Sequence, residues 1–462
     1  MRFRTTSALL AGKAAGLGIH LFRAGGGTTL PGRLARKLDP DFVSEMVRNL
    51  PLGCVLITGT NGKTTTSSLL ASALDQAGMT PLHNRTGANL MAGVASALVG
   101  EVSLAGKTGG RLGLFEVDEA ALPAAVEQTR PKLVMVNNLF RDQLDRYGEL
   151  DTLAKKMGGA LRGLHSDSVV VLNADDPLVA SIGDGLEARV VFFGVEDRSL
   201  STGVMQHAAD SKHCPSCGAA LSYEFHLFGH LGGYKCPSCG VGRPVPTVAA
   251  LSVKAEGMKG SRCQVRYPGG TTEMFMPLPG LYNVYNMLAA TAAALSLGVD
   301  IEVIKDAVLS FDAAFGRVER IKASGREVLM VLAKNPAGLN EVIRTLSSLH
   351  GRIDLVLALN DNIADGRDVS WIWDVDFEMF AGRLRNVVCS GIRAHDMALR
   401  VKYAGIGEET RRVEPDLGRA LDMGLSSVER EGTLYVVPTY TAMLELRSIM
   451  SKRGLVKQYW EG

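Results

Sequence analysis

Neither sign of charge is in excess in this chain. Fifty Lys and Arg residues face 48 Asp and Glu, for a formal net charge of +2. So even a balance leaves no electrostatic footprint for nucleic acid. Aromatic residues are scarce, at 6% with three tryptophans, and there are seven cysteines in 462 residues. Long apolar runs are also few. The charge-free stretch 274–299 has the length of a membrane span, but Pro277, Pro279, Gly280, Asn283 and Asn286 interrupt it. Its second half is rich in Ala, so it reads as a loop entering a buried helix.

The N-terminus begins like a signal peptide, with Met1-Arg2-Phe3-Arg4 and then Ser7-Ala8-Leu9-Leu10-Ala11-Gly12. Lys13, His20 and Arg23 break the apolar run, and no cleavage site follows. The expectation is an amphipathic first helix lying on the body of a cytoplasmic protein, with no transmembrane segment. What the chain has in quantity is glycine, 52 residues. With few aromatics, that suits an α/β enzyme with many strand–helix turns. The length allows two or three domains with full cores.

Four of the seven cysteines fall in two identical knuckles, Cys214-Pro215-Ser216-Cys217-Gly218 and Cys236-Pro237-Ser238-Cys239-Gly240. Each knuckle puts two thiolates on one tight turn, and two knuckles close a tetrahedron around Zn²⁺. Four protein ligands leave no open position for a reacting water, so the metal is expected to be structural. Two disulfides would need an oxidising compartment, and nothing here suggests secretion. A dithiol redox pair needs one CxxC alone. Cys54, Cys263 and Cys389 stand in apolar or strand-like surroundings and read as buried small hydrophobes.

Apolar runs at 54–57, 112–117, 133–137, 169–172 and 190–193 alternate with helical patterns, which predicts a mostly parallel sheet. The knuckles, about residues 205–246, interrupt that series as an insertion, and 262–267 with 273–276 resume it as a hairpin. A second series follows at 328–332, 355–359, 387–389, 401–403 and 434–437 and reads as a separate three-layer α/β domain. The expected division is a helical segment at 1–50, a nucleotide-binding domain at 51–315 and a C-terminal α/β domain at 316–462.

Thr58-Gly59-Thr60-Asn61-Gly62-Lys63-Thr64-Thr65 follows a strand and opens a helix, the context a phosphate-binding loop requires. Glycines let backbone N–H groups approach phosphate oxygens, and the helix N-terminus adds partial positive charge. Lys63 is expected to reach the β- and γ-phosphates of ATP, and the Thr64 hydroxyl to ligate Mg²⁺. Ile57 occupies the first glycine position of the strict Walker spacing.

The string TGTNGKTT resembles the ATP-binding loop of the Mur ligase superfamily, which includes the muropeptide amino-acid ligases and folylpolyglutamate synthase. Glu116 matches that superfamily's Mg²⁺-binding glutamate, and Asn173-Ala174-Asp175-Asp176-Pro177 its NADDP turn. Gly280-Leu281-Tyr282-Asn283-Val284-Tyr285-Asn286 matches a segment whose first Asn, here Asn283, lies by the nucleotide. Gly316-Arg317-Val318-Glu319 matches the linker into the last domain, which places Arg317 at the nucleotide. The resemblance implies a Mur ligase-type P-loop central domain carrying an inserted four-cysteine zinc ribbon, followed by a Rossmann-like α/β domain. The chain departs from the pattern at Gln143, where the superfamily has His, and at 331–336, where Val-Leu-Ala-Lys-Asn-Pro lacks the ribose-binding Asp. Lys155 or Lys156 could correspond to the carbamoylated lysine common in the superfamily.

Residues 360–378 hold five aspartates, one glutamate and two of the three tryptophans after a predicted strand. C-terminal ends of parallel strands are where α/β sites form. This segment, together with the four-cysteine insertion, resembles the MurT family of Mur ligase-like subunits. That resemblance implies a GatD-like glutamine amidotransferase partner in a heterodimer. It also implies that one aspartate here completes the partner's Cys–His pair by orienting the imidazole. Asp368 is favoured, then Asp365, with Asp361 and Asp374 as alternatives. The implied reaction is ATP-dependent amidation of the D-glutamate α-carboxylate of lipid II to D-isoglutamine through an acyl phosphate, at the cytoplasmic face of the membrane. A stand-alone amino-acid ligase of the superfamily is the alternative.

Overall fold

The computed structural model describes residues 2–22, 29–84, 88–103, 108–141, 150–203, 209–311 and 318–456. Eleven strands precede residue 277: β1 Cys54–Thr58, β2 Pro81–His83, β3 Leu112–Glu116, β4 Leu133–Val136, β5 Val169–Asn173, β6 Arg189–Val195, β7 Ser222–Phe228, β8 Leu231–Lys235, β9 Val248–Ala255, β10 Ser261–Tyr267 and β11 Gly270–Met276. Nine of them form one sheet in the order β11-β10-β9-β6-β5-β4-β1-β3-β2. The strands from β2 to β6 run parallel, β6 pairs parallel with β9, and β9, β10 and β11 form an antiparallel edge.

β1, β3, β4 and β5 are buried at every residue, as expected of strands covered on both faces. Their side chains alternate between two cores. Val55, Ile57 and Leu114 face the helices Lys63–Gln76 and Leu281–Ser296, whereas Leu56, Phe115 and Val134 face Phe42, Met46 and Leu98. The apolar stretch at 274–299 ends in that buried helix Leu281–Ser296, against β5, β6 and β9. Among the described residues no helix is long and apolar enough to cross a membrane.

Six further strands make a second sheet: β12 Val318–Ala323, β13 Arg326–Val331, β14 Ile353–Ala358, β15 Leu384–Ser390, β16 Arg411–Val413 and β17 Thr433–Pro438, in the order β12-β13-β17-β14-β15-β16. β12 is antiparallel and the rest are parallel. One expected strand is absent: residues 401–403 end the helix Ala394–Tyr403. Ala394, Met397, Ala398 and Val401, its buried apolar residues, fall at the i, i+3, i+4, i+7 spacing of a helix face. The first helix, Phe3–Phe22, also differs from expectation. It is not amphipathic in the usual sense, because Phe3, Leu10 and Leu17 point outward while Thr5 is buried beside Ala8 and Leu9.

β7 and β8 form a separate two-stranded hairpin inside the inserted segment. Its outer end carries the knuckles. Its tip does not: Leu227, His230 and Leu231 are fully buried, and Phe225 and Phe228 nearly so, within the core built on the first sheet. Gly229 turns the tip at φ +56° with its Cα beside the Phe140 ring, where a Cβ would lie 2.8 Å from a ring carbon.

Candidate active site

The loop between β1 and the helix Lys63–Gln76 is held by backbone and side-chain groups that follow the neighbouring strand β4. Thr60 N–H donates to Asn138 O at 3.0 Å, and Asn61 N–H to Asn138 Oδ1 at 2.8 Å. Phe140 N–H donates to Thr60 Oγ1 at 3.0 Å. Gly59 and Gly62 take φ +130° and +81°, conformations open to glycine without strain. Lys63 is buried, and its Nζ lies 3.1 Å from Glu119 Oε2 and within reach of the Gly59 carbonyl. Thr64 Oγ1 donates to Glu116 Oε2 at 2.9 Å, which joins the two residues expected to hold Mg²⁺. A hydroxyl and a carboxylate oxygen at this separation are the hard oxygen donors such an ion takes. Asn84 fixes the strand end by bonding both the N–H and the carbonyl of Glu116.

A cleft of about 800 Å³, its open mouth included, lies beside this loop. One wall is Asn61, Gly62 and Thr65 with Asn283 and Asn286; the other comes from 332–342, at the start of the second sheet's unit. Asn335 caps the helix Pro336–Ser347 by accepting from Gly338 N–H at 2.9 Å, and it donates to Asn61 Oδ1 at 2.8 Å. The residues 331–336 that depart from the superfamily pattern therefore still touch the loop. Arg317 and Gln143 lie outside the described residues. Lys155 and Lys156 are exposed, and Lys156 lines an outer groove that shares no residue with this cleft.

Glu119, beside the loop, and the cleft residues Glu341 and Phe228 were not singled out in the sequence. Glu119 pairs with Lys63. Glu341 lines the cleft, and burial pushes its carboxyl up to about 7, opposed by Arg344. Phe228 enters from the tip of the inserted hairpin and packs on Phe140 and Tyr285. Arg344 then ties the two units together, donating to Leu227 O at 2.7 Å and Leu200 O at 3.0 Å. The NADDP turn is part of the same scaffold. Asp175 accepts from Arg243, Tyr285 and Val195 N–H, and Asp176 caps its helix and accepts from Leu139 N–H.

The knuckles are congruent. Gly218 N–H donates to Cys214 O at 2.8 Å and Gly240 N–H to Cys236 O at 3.0 Å; Gly218 and Gly240 sit at φ +77° and +80°. The four sulfurs lie within 4.8 Å of one another, with Cys214–Cys239 at 3.6 Å and Cys217–Cys236 at 3.5 Å. Tetrahedral Zn–S bonds of about 2.3 Å put sulfurs roughly 3.8 Å apart. The donor set therefore fits a metal ion.

In the acidic segment each aspartate has its own setting. Asp361 pairs with Arg393 at 3.2 Å. Asp365 is buried and accepts from both the N–H and the hydroxyl of Thr441. Asp374 pairs with Arg141 at 3.3 Å, and Arg141 also binds Asp210, so the segment is tied to the first unit. Asp368 is exposed; the Ser370 hydroxyl and N–H hold its carboxyl below the usual range. Nearby, Trp373 is half exposed, 5.7 Å from the exposed Tyr403 ring.

A model of the Mur ligase middle domain matches residues 57–232, and one of the MurT ligase C-terminal domain matches 332–443. The lipid II isoglutaminyl synthase (glutamine-hydrolyzing) subunit MurT of Streptococcus pneumoniae is 33% identical over 461 residues, 99% of both chains. The Staphylococcus aureus subunit of the same name is 32% identical, over 90% of this chain and 91% of its own. Among solved structures, a pseudomurein peptide ligase type C from Methanothermus fervidus superposes with a TM-score of 0.69 at 22% identity, covering 91% of this chain and 84% of that one, which shows the shared fold. With its loop, four-cysteine hairpin and acidic segment in one frame, the chain belongs to the MurT family of Mur-type ligases.

Proposed function

We propose that this chain is the ligase subunit of a glutamine-hydrolysing lipid II isoglutaminyl synthase, acting in peptidoglycan synthesis in the cytoplasm. The observation that carries the reading is near-full-length identity to MurT subunits combined with a joined Thr64–Glu116 pair beside Lys63. MgATP binds along Gly59–Thr65 and in the cleft with Asn283. Mg²⁺, held by Thr64 and Glu116, would neutralise charge on the transferring phosphoryl group. The D-glutamate α-carboxylate oxygen attacks the γ-phosphorus, the bond to ADP breaks, and an acyl phosphate forms. Ammonia nitrogen then attacks the acyl carbon, phosphate leaves, and the ammonium proton passes to solvent or phosphate, leaving the D-isoglutamine amide. Lys63 and the loop N–H groups stabilise the phosphoryl oxygens without reorganising.

The cysteines support a second subunit as the ammonia source. Cys54, Cys263 and Cys389 are buried, and burial raises each thiol to about 12. The remaining four form the metal cluster, in our reading Zn²⁺. None is then a nucleophile for glutamine, so a GatD-like amidotransferase supplies ammonia. Asp368 is the carboxylate we assign to its Cys–His pair. It is exposed, and its bonds to Ser370 are local and hold its pKa low, whereas Asp361, Asp365 and Asp374 are tied to Arg393, Thr441 and Arg141 far along the chain.

The test is reconstitution with the glutaminase, lipid II, glutamine and ATP, with mass spectrometry of the stem peptide. Amidation that needs both chains supports the reading. Addition of an amino acid by this chain alone would replace it with the stand-alone ligase.

A further inference from the structure

The first helix, Phe3–Phe22, shows solvent an unusual face. Phe3 is 90% exposed, Leu10 49% and Leu17 65%. Ser7 and Ala14 are exposed between them. The set Phe3, Ser7, Leu10, Ala14, Leu17 follows i, i+4, i+7, i+11, i+14, which is one continuous helix face. An outward face normally carries the charges of a surface helix. This one carries none.

The helix is not free to roll that face inward. Thr5 Oγ1 donates to buried Asp39 Oδ2 at 2.7 Å, and Ala8 and Leu9 are fully buried. At Gly12 a Cβ would meet Val99 Cγ2 at 2.9 Å and Pro31 O at 3.1 Å, so the backbone lies directly on its neighbours. Arg4 Nε donates to Leu38 O at 2.7 Å, and Leu38 is itself 43% exposed. The apolar stripe is thus fixed outward by the close packing of the opposite side.

Charge identifies what would cover it. Before Asp39 the sequence contains seven Lys and Arg and no Asp or Glu, although the chain as a whole is balanced at +2. Arg2, Arg4, Arg33 and Lys37 are exposed. Arg2 also reaches Glu45 Oε1 at 3.6 Å, but no acid lies on the stripe itself. Apolar side chains on one face, flanked by cations, match the chemistry of a helix lying in an anionic bilayer interface. The helix is not among those long and apolar enough to span.

We propose that Phe3, Leu10 and Leu17, flanked by Arg2, Arg4, Arg33 and Lys37, form a docking face for an anionic phospholipid surface. The face is built from the first two helices, Phe3–Phe22 and Leu30–Leu38, and does not depend on the proposed function. The lipid-linked substrate of the proposed function gives it a purpose: docking would hold the cleft where a membrane-bound substrate is presented.

The experiment is co-sedimentation of the full chain with vesicles of phosphatidylglycerol and phosphatidylcholine, against vesicles of phosphatidylcholine alone. The wild type is expected to bind the anionic vesicles and to release as salt rises. Leu10→Glu with Leu17→Glu is expected to weaken binding at least roughly tenfold, with melting temperature and nucleotide affinity unchanged because both leucines are exposed. Arg33→Glu with Lys37→Glu weakens it by charge without touching the stripe. No binding by the wild type overturns the proposal. So does equal binding by the Leu10→Glu, Leu17→Glu variant, or a concentration-dependent dimer in light scattering that the same variant abolishes, which would assign the face to a second copy. Nucleotide affinity is measured in the same samples, so a failure of the ligase reading shows there and leaves the vesicle result to stand or fall separately.

Discussion

Thr64 Oγ1 lies 2.9 Å from Glu116 Oε2, although 52 residues separate them in the chain. The contact exists because β1 and β3 are parallel neighbours, with Ile57 paired to Glu116, so their C-terminal ends open on one side. Glu116→Gln keeps the strand end, since Asn84 grips the Glu116 backbone and not its side chain. ATP turnover should fall on the order of 10²-fold or more, with the melting temperature almost unchanged. Unchanged turnover at saturating Mg²⁺ would remove Glu116 from the metal site.

Gly62 offers a sharper test of the loop. A Cβ there would sit 2.0 Å from Asn286 Oδ1, and the residue is at φ +81°. Asn286 in turn accepts from Thr66 and donates to Asn283, so a shift spreads into the cleft wall. Gly62→Ala should cost about 1–3 kcal/mol and weaken nucleotide binding by calorimetry. Gly78→Ala is the control. It shares a positive φ of +73° but has open space around it, so it should lose stability while keeping affinity. Equal affinity in both variants would mean that Asn286 is not part of the site.

Asp365 and Asp368 should separate stability from chemistry. Asp365 serves Thr441 at the start of the helix Tyr440–Lys452, so Asp365→Asn should lower stability by about 1–2 kcal/mol. Asp368→Asn should leave the melting temperature alone and reduce glutamine hydrolysis by the complex on the order of 10²-fold or more. A normal glutaminase rate with Asp368→Asn would transfer the role to another carboxylate of the segment.

Much of this organisation is legible before folding, because phosphate loops and metal knuckles are local. All four cysteines, the glycine loop and the parallel strands depend on residues a few positions apart. The failures have equally physical causes. Val401 and Tyr403 have strand propensity, but Val401 continues the buried helix face of Ala394, Met397 and Ala398, and Tyr403 ends that helix exposed. β2 and β16 are three-residue strands at sheet edges, too short to show a period. Phe228 and Glu341 reach the cleft from opposite units, a juxtaposition that no spacing encodes.

Glu341 makes a pH prediction. Burial raises its carboxyl from the ordinary 4.5 to about 7, against the smaller pull of Arg344. Between those values the folded protein holds a proton that the unfolded chain has released, so stability falls as pH rises and levels off above pH 7. The full effect is on the order of 3 kcal/mol. Glu341→Gln, measured without ligand, should therefore raise the melting temperature more at pH 8 than at pH 5. A gain independent of pH would show that Glu341 is ionised throughout.

The inserted hairpin connects the four-cysteine cluster to the cleft beside the phosphate loop. Five residues of β8 separate the Cys236 knuckle from the buried tip, roughly 17 Å of strand. At the tip, Phe228 lines the cleft and Leu227 O receives Arg344 from the facing wall. Purified protein should contain one zinc ion per chain. Cys236→Ser, or chelation under reducing conditions, removes the clamp that fixes the hairpin's outer end. Burial of Leu227, Phe228 and Leu231, about 1.5–3 kcal/mol each, should keep the tip seated but less fixed. Nucleotide affinity should then weaken roughly tenfold, and Phe228→Ala with zinc retained should reproduce the loss. Zinc-free protein that binds nucleotide as tightly as the loaded form would confine the cluster to local folding of the hairpin.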